Sequence, residues 1–561
     1  MSRTRTQALL MVWMSISSLG LFTSCASRAP RPTPARLAEL GRADALVLDG
    51  CYRCLQEARD IYAGGEIASS SRTPSSSAPR TESALRKELD TTLLLAARAK
   101  ELGLAFEPDL TRARELVKQL QPPLQSPSRS SQKDRKDLPS SPEDLSARID
   151  AVEAIVGDLT GLDSEERRLR DERIEQEGGA GAERSPRALR TLATLETLRK
   201  SAATDITAAY LALSLECQQP GRRRTGPLEV SVSTPGADAP LWRYRLALCG
   251  VTPPTLTELR ERDPRWAEIF YFEGKTAMGS PARAAEPALA AKLLSSAVQA
   301  FPDSIPAHMQ LGDAHELNGD AELALAAFDR VLAIKPAHID AQLGRVRNLS
   351  YLGRSDEGIA AATIIIDRGT WHVGDAYYWR AWNAYQARRM EPAWADVQQA
   401  MSLLSNTAVY ALAGSIAYGR KELDVAIRHF TRAFEIDPSN CLAIGSAGLV
   451  HVEQMAWPAA ADDHIKATRC YAQAAATARA ELAKLTDAAL EPAVKARRIE
   501  SVRKRRESAE QLGAQAALDA ADSLVRMGDT RQAAAYLDQA AQHPSTSAKA
   551  AALKARIAGT P

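Results

Sequence analysis

Cys51 and Cys54 form the residue pair in this sequence best suited to redox chemistry. In thioredoxin-like proteins a C-x-x-C pair carries out disulfide exchange at the start of a helix. That arrangement needs a strand leading into the helix, whereas the residues on both sides of this pair have helical patterning. The sequence has no second C-x-x-C to complete a zinc site, and no histidine follows Cys54 as haem attachment requires. We expect both cysteines to pack inside a helical hairpin; a thiol-redox factor is the alternative.

Histidine offers little further chemistry. His308 and His315 lie seven residues apart on one predicted helix face, which we expect to point into a hairpin core. The sequence contains no H-E-x-x-H, no glycine-rich phosphate loop and no serine elbow. We therefore predict no catalytic, cofactor-binding or metal-binding residue, and a protein that is not an enzyme.

Charge and composition restrict the class of partner. The chain has 561 residues with 71 basic and 69 acidic side chains, a balance that argues against nucleic acid. Basic runs at 222–224 and 503–506 are explained by solvated loops or helix faces. Aromatic residues make up 5% of the chain, and alanine, the strongest helix former, is abundant.

The helical pattern of the chain is clearest between residues 305 and 438, where it repeats about every 34 residues. In the copy at 305–338 the key positions hold small, aromatic and proline residues: Leu311, Gly312, Gly319, Ala324, Phe328 and Pro336. The copy at 407–440 has the matching set: Tyr410, Gly414, Ala426, Phe430, Ala433 and Pro438. This pattern resembles the tetratricopeptide repeat (TPR). A small residue lets two helices approach closely, the aromatic residue fills the hairpin, and proline ends the unit.

Looser copies of the pattern lie between the two clear ones and on either side of them. They occur at 271–304, 339–372, 374–407, 441–474 and 514–547. The resemblance therefore implies an all-α fold, a TPR-like α-solenoid of antiparallel helical hairpins. Disordered Ser/Pro-rich insertions are expected in its N-terminal half.

The predicted organisation follows composition along the chain. The helical segments are 35–64 (a hairpin), 81–122, 144–220, a TPR array at 242–474, a charged helical insertion at 475–513 and a C-terminal TPR-like hairpin at 514–557. The segments between them are disordered linkers at 65–80 and 123–143 and an irregular segment at 221–241. The patterns leave open whether the N-terminal helices form a separate lobe.

An aromatic cluster at 377–385 is the strongest candidate for partner binding. In the TPR family the fifth, ninth and twelfth residues of the first helix of each hairpin line a concave groove. The resemblance places these residues there: Tyr378, Trp382, Tyr385, Leu343, Arg347, Met309, Asp313 and Glu316. Tyrosine and tryptophan dominate binding hot spots, which favours an anchor for a peptide or a helix of another protein. Alternatively, a one-residue shift in phase would put the aromatic residues in the core.

Cys441 and Cys470 are predicted to form a disulfide. Cys441 opens the first helix of its hairpin and Cys470 closes the second, and antiparallel helices bring those two ends level. The bond would close a loop of about 28 residues and stabilise the fold by about 3–4 kcal/mol in the entropic model.

The N-terminus has the features of an export signal. Arg3 and Arg5 precede a mainly apolar run of about 15 residues, and residues 1–24 form the predicted signal peptide. The order Leu21-Phe22-Thr23-Ser24-Cys25 resembles a bacterial lipoprotein cleavage box, which implies lipidation of Cys25 and a tether at 25–34. An ordinary secretory signal with an incidental cysteine, or an uncleaved anchor, are the alternatives.

Together these features predict a lipid-anchored, non-enzymatic TPR scaffold in the bacterial cell envelope, on the outer membrane facing the periplasm. It would hold another protein or peptide in its groove, in an assembly or secretion complex, without nucleic acid. A soluble periplasmic or secreted protein is the alternative location. A glycan- or peptidoglycan-binding lipoprotein, with Tyr378 and Trp382 stacking on sugars, is the alternative function.

Overall fold

The computed structural model of the chain describes most residues from Pro34 onward. The described ranges are 34–64, 82–120, 142–156, 193–195, 197–198, 205–217, 239–248, 256–279, 285–487 and 492–558. Within them the chain forms α-helices and turns without a strand, which confirms the predicted all-α class. No helix in these ranges is both long and apolar enough to cross a bilayer. These predicted features lie wholly or almost wholly outside the described residues: the signal peptide, Cys25, the tether, the linkers at 65–80 and 123–143, and the irregular segment at 221–241.

The described residues divide into two compact units, with the boundary after Ile269. Unit 1 contains helices α1 (Pro34–Asp49), α2 (Tyr52–Tyr62), α3 (Glu82–Glu101), α4 (Glu107–Leu120), α5 (Pro142–Val156), α6 (Ile206–Cys217), α7 (Pro240–Leu248) and α8 (Leu256–Arg262). Helices α1 and α2 are consecutive and pack against each other. Gly50 joins them with a φ of +69°, and a Cβ there would lie 2.4 Å from Leu241 Cβ. Only glycine fits both the turn and this close approach.

A buried ion pair organises unit 1. The Arg98 guanidinium, on α3, donates to a Glu268 carboxylate oxygen at 2.5 Å and to the Gly50 carbonyl at 2.6 Å. It also lies 3.9 Å from the centre of the Tyr244 ring, which stacks on the fully buried Trp266. Arg98 and Glu268 are both fully buried, so each charge depends on the other. Because these contacts draw the chain through Glu268 into unit 1, the repeat array begins later than the residue 242 expected from sequence.

Unit 2 is a TPR-like α-solenoid of consecutive helices, each packed on the next. Its helices after α9 (Ile269–Ala277), which crosses the boundary, are α10 (Pro287–Ala300), α11 (Ile305–Asn318), α12 (Ala321–Ile334), α13 (Ile339–Tyr351), α14 (Ser355–Arg368), α15 (Val373–Gln386), α16 (Met390–Leu403), α17 (Thr407–Gly419), α18 (Leu423–Ile436), α19 (Cys441–Glu453), α20 (Trp457–Asp487), α21 (Pro492–Arg526), α22 (Thr530–Ala541) and α23 (Pro544–Ala558). In each hairpin from α11 to α18, the odd-numbered helix is the first and the even-numbered helix the second.

The repeat period is visible in the residues that begin the first helices. Residues spaced 34 apart occupy the N-cap positions of α11, α13, α15, α17 and α19: Ser304, His338, His372, Asn406 and Asn440. All but His372 accept a hydrogen bond from the backbone N–H three residues later. Each such bond satisfies one backbone donor that the first turn of a helix leaves unpaired. The array therefore repeats the start of each hairpin as well as its core.

Phe328 shows how the hairpins are held together. Its ring, fully buried, lies between Gly312 on α11 and Gly344 on α13. A Cβ at either glycine would lie 2.7 Å from a ring atom, closer than real Cβ contacts allow. The absent side chains on α11 and α13 thus make room for one aromatic residue that joins two successive hairpins.

The C-terminal elements differ from the predicted boundaries. Residues 475–513 do not form separate inserted helices, because α20 continues from the preceding hairpin through Asp487 and α21 runs without a break from Pro492 to Arg526. Gly513 lies inside α21, where an isolated glycine lowers helix propensity without ending the helix. Pro544 is the first residue of the last helix, α23. Proline is well suited to that first position because its missing N–H would have had no partner there.

Candidate partner-binding surface

Three consecutive first helices, α11, α13 and α15, present a continuous band of charged and aromatic side chains. We call this band the aromatic–acidic strip; its members are Asp313, Glu316, Arg347, Tyr351, Tyr378 and Trp379. The three helices contact one another in order, so residues about 34 positions apart become neighbours. Four of the eight predicted groove residues belong to the strip. Three of these, Asp313, Glu316 and Arg347, meet at its acidic end.

Glu316 and Arg347 link α11 to α13. Arg347 donates two hydrogen bonds to the Glu316 carboxylate, from Nε at 2.9 Å and from an Nη at 3.0 Å. Asn348 donates a third at 2.9 Å, and also bonds to the Gly344 carbonyl one turn earlier. This bidentate geometry is the strong form of an arginine–carboxylate pair. Glu316 is therefore neutralised within the strip.

Asp313 has no such partner. Its carboxylate, one helical turn before Glu316, accepts no hydrogen bond from any residue the structure describes. Burial raises the pKa of Asp313 to about 6; Arg347 opposes this rise, and the negative charges of Glu316 and Asp340 add to it. Once Glu316 has taken up the charge of Arg347, Asp313 is left as the surplus negative charge at this end of the strip.

The aromatic end of the strip lies beside Glu316 and Arg347, the two charged groups that act on Tyr351. Tyr351 is 57% exposed, and its ring meets Trp379 edge-on with 5.8 Å between the ring centres. Trp379 in turn meets Tyr378 at 5.1 Å. The pKa of Tyr351 is raised first by burial and then by the charge of Glu316, which places its hydroxyl near the acidic end. Glu316, Tyr351, Trp379 and Tyr378 thus follow one another along the strip.

Tyr351 was not predicted from the sequence, although a signal was present. It lies 34 residues after Leu317, and both are exposed at the same place near the end of a first helix, at 57% and 61%. The 34-residue period assigns these two large side chains to the same repeat position. That recurrence is the signal that could have pointed to Tyr351 as a surface residue.

The predicted aromatic residues of α15 are divided between surface and core. Tyr378, Trp382 and Tyr385 are all partly buried, and all pack against the cluster that contains Ala381 and Val397. The indole nitrogen of Trp382 is itself buried and has no acceptor. Trp382 therefore contributes to packing, and its role in a binding groove stays a prediction.

Two other predicted groove residues lie mainly in the core. Leu343 is 6% exposed and belongs to the cluster around Ile339 and Val346. Met309 is partly buried against the Phe328 cluster. The fifth position of these two helices faces the next hairpin closely enough to be covered, so neither residue offers much surface to a partner.

Four of the cysteines considered in the sequence form two bonded pairs. Cys51 and Cys54 are bonded to each other at the start of α2, where the Cys51 sulfur also accepts the Cys54 N–H. Both are essentially buried, at 0% and 1% exposure, and thiol exchange needs an accessible sulfur. Cys441 and Cys470 are bonded with their Cα atoms 5.5 Å apart, joining the start of α19 to α20.

Of the two histidines considered as metal ligands, His308 has a local acceptor, whereas the buried Nδ1 of His315 has no hydrogen-bond partner among the described residues. His308 Nε2 lies 2.9 Å from the Pro302 carbonyl, and His315 Nδ1 lies 3.6 Å from Asp320. Across the described ranges, no cluster of three histidine, cysteine or acidic residues is arranged to hold a metal ion.

Comparison with known proteins identifies the repeat itself. Residues 305–338, which form α11 and α12, match the family model described as tetratricopeptide repeat. No curated protein sequence matches the chain. The TPR assignment made from the sequence is confirmed for this hairpin.

Solved structures of TPR proteins align with this chain at low similarity. The C-terminal part of a TPR repeat-containing protein from Cytophaga hutchinsonii is 15% identical over 51% of this chain and 97% of its own, with a TM-score of 0.35. A tetratricopeptide repeat protein from Parabacteroides merdae is 13% identical over 64% of this chain and 98% of its own, with a TM-score of 0.26. YrrB, a TPR protein with an unusual peptide-binding site, is 19% identical over 32% of this chain and 93% of its own, with a TM-score of 0.27.

Proposed function

We propose that the protein is a non-enzymatic TPR scaffold that binds a segment of another protein across the aromatic–acidic strip. The main support for this proposal is the strip itself, which three successive first helices present. It extends from Asp313 to the exposed ring of Tyr351 and then to Trp379 and Tyr378. Tyrosine and tryptophan are among the residue types that dominate binding energy at interfaces, and a neighbouring carboxylate without a hydrogen-bond partner offers a charged contact.

The repeat architecture supports this proposal. Each hairpin contacts mainly its neighbours, so equivalent helices extend a binding surface without long-range rearrangement. The Glu316–Arg347 pair and the Asn348 amide fix α11 against α13, and Asn383 donates to Ser350 at 2.7 Å between α13 and α15. A surface held by such bonds is preorganised, which lowers the entropy cost of binding.

Site-specific photo-crosslinking in the native organism tests the proposal. A photoreactive phenylalanine analogue placed at Tyr351 should form a discrete crosslinked product with another protein, identified by mass spectrometry. The same analogue at Ile364, on the second helix α14 and similarly exposed at 54%, is the matched control. Equal crosslinking from both positions, or none from position 351, would rule out the strip as the binding surface.

We further propose that the protein is anchored by a lipid on Cys25 in the bacterial envelope, at the outer membrane facing the periplasm. The supporting feature is the apolar segment that ends in Thr23-Ser24-Cys25. Radiolabelled palmitate should enter the wild-type protein and not the Cys25→Ser variant, and the variant should move from the membrane to the soluble fraction. If the wild-type protein takes up no palmitate and is found in the soluble periplasm, the result would favour the secreted alternative.

A further inference from the structure

We infer that the segment bound by the aromatic–acidic strip carries an arginine, which pairs with Asp313 and stacks on Tyr351. This inference rests on the proposed scaffold function and specifies the chemistry of the partner. It follows from the charges and exposures along the strip, taken in order from α11 to α15.

Asp313 supplies the charge that a cation would neutralise. The other carboxylate of this end, Glu316, already has both oxygens engaged by Arg347 and one of them also by Asn348. Asp313 accepts no hydrogen bond within the described ranges and is held in a partly buried position near the negative charges of Glu316 and Asp340. A partner cation would therefore gain a charged contact without displacing an existing one.

Tyr351 supplies the second contact and distinguishes arginine from lysine. More than half of its surface is exposed and its ring meets Trp379 at a right angle, so exposed ring surface is available for stacking. A guanidinium group is planar, binds a carboxylate with two parallel N–H groups and stacks on aromatic rings, whereas an ammonium group is a strongly hydrated point charge. The combination of carboxylate and ring fits arginine better.

Residues around Asp313 and Tyr351 favour apolar side chains next to the arginine of the bound segment. Leu317 is 61% exposed on α11, and the rings of Tyr378 and Tyr385 are partly exposed on α15. The bound segment should thus combine an arginine with apolar or aromatic side chains on either side.

A phage-displayed library of random dodecapeptides, selected on the immobilised full chain, tests the inference. Wild-type protein should enrich peptides containing arginine next to apolar residues. Replacing that arginine by glutamine in the best synthetic peptide should weaken binding about tenfold, and replacing it by lysine should weaken binding less. The Asp313→Asn variant should bind the arginine and glutamine peptides about equally. The Asp356→Asn variant, which removes an exposed carboxylate from α14, should behave as wild type.

The other outcomes separate this inference from the proposed function. Peptides that are enriched without arginine, and whose binding is lost in a Tyr351→Ser/Tyr378→Ser variant, would overturn the arginine inference and leave the scaffold proposal standing. Unchanged arginine selectivity in Asp313→Asn would also overturn it. Failure to enrich any peptide on the wild type relative to the Tyr351→Ser/Tyr378→Ser variant would contradict both.

Discussion

His464 lies against Gly448 in the place that Phe430 takes against Gly414 two helices earlier. In both pairs the ring follows the glycine by 16 residues, and a Cβ on Gly448 would lie 2.8 Å from the His464 ring. The histidine is 1% exposed, and its Nε2 has no hydrogen-bond partner. A polar ring thus occupies a position that Phe328 and Phe430 fill with an apolar one in their own hairpins.

The His464→Phe variant should be more stable than the wild type. Phenylalanine keeps the ring against Gly448 and removes a buried nitrogen without a partner, which should raise the free energy of unfolding by about 1–3 kcal/mol. Thermal and urea unfolding followed by circular dichroism measure the change. A lower unfolding midpoint would show that the site cannot accept the larger ring.

The same substitution should remove an acid sensitivity. Burial lowers the pKa of His464 to about 4, with a smaller contribution from the charge of His451. The unfolded chain binds a proton near pH 6.5 while the folded chain does not, so stability should fall as the pH drops from about 6.5 to about 4. Urea unfolding across this range should show a shallower loss of stability in His464→Phe. Identical pH dependence would assign the acid effect to other groups.

Gly344→Ala should destabilise the array. Its new methyl group would meet the Phe328 ring at 2.7 Å, and overpacking of this kind costs about 1–3 kcal/mol. Gly445→Ala, on the first helix α19, is the matched control because the nearest atom, the Ala467 Cβ, lies at 3.7 Å. There alanine should stabilise the helix by about 0.5–1 kcal/mol. Equal effects of the two substitutions on urea unfolding would contradict the packing role of Phe328.

Tyr351→Ala and Trp382→Ala should have different consequences. Tyr351 is exposed, so its loss should weaken partner capture and leave the melting temperature nearly unchanged. Trp382 packs on the cluster with Val397, so its loss should also lower the free energy of unfolding by about 3 kcal/mol. Differential scanning calorimetry, together with binding of a selected peptide, separates the two effects. A large drop in melting temperature for Tyr351→Ala would place this ring in the core.

The bond between Cys441 and Cys470 remains a prediction for the protein in solution. Thiol alkylation followed by mass spectrometry should leave both cysteines unmodified before reduction, and both labelled after it. The Cys441→Ser/Cys470→Ser variant should lose about 3 kcal/mol of stability in the entropic model. Labelling of both cysteines without reductant would disprove the bond.

The Asp313→Asn variant should be more stable than the wild type at neutral pH. The pKa of Asp313 rises to about 6 on folding, from 3.8, so the folded chain holds its proton more tightly. Folding is therefore penalised above pH 6, and the penalty disappears as the pH falls toward about 4. The charged groups that act on Asp313 are Arg347 and Asp340 from α13 and Glu316 from α11. The variant should gain about 1–3 kcal/mol at pH 7.5 and nothing at pH 4, as measured by urea unfolding.

The helices of unit 2 show most clearly which features the sequence predicts and which it does not. The glycines, aromatic residues and prolines at 305–338 and 407–440 identified two hairpins correctly, because their side-chain volumes directly set how closely two helices pack. The groove positions do not follow from side-chain volume alone. Leu343 and Arg347 lie one turn apart on α13, yet Leu343 is buried and Arg347 faces the strip. The packing of the next hairpin decides which side chains it covers, and a single helix does not specify that.

By itself the sequence determined the all-helical class, the 34-residue period and the residues that fill each hairpin. These are local properties, since helix propensity, N-caps and small-residue spacing act within one or two turns or between adjacent helices. Only the tertiary structure decided that Arg98 and Glu268, 170 residues apart, share a buried ion pair, and that Glu316 takes the charge of Arg347 and leaves Asp313 without a partner. Such pairings depend on which side chains of separate helices meet, and that is fixed when the whole array packs.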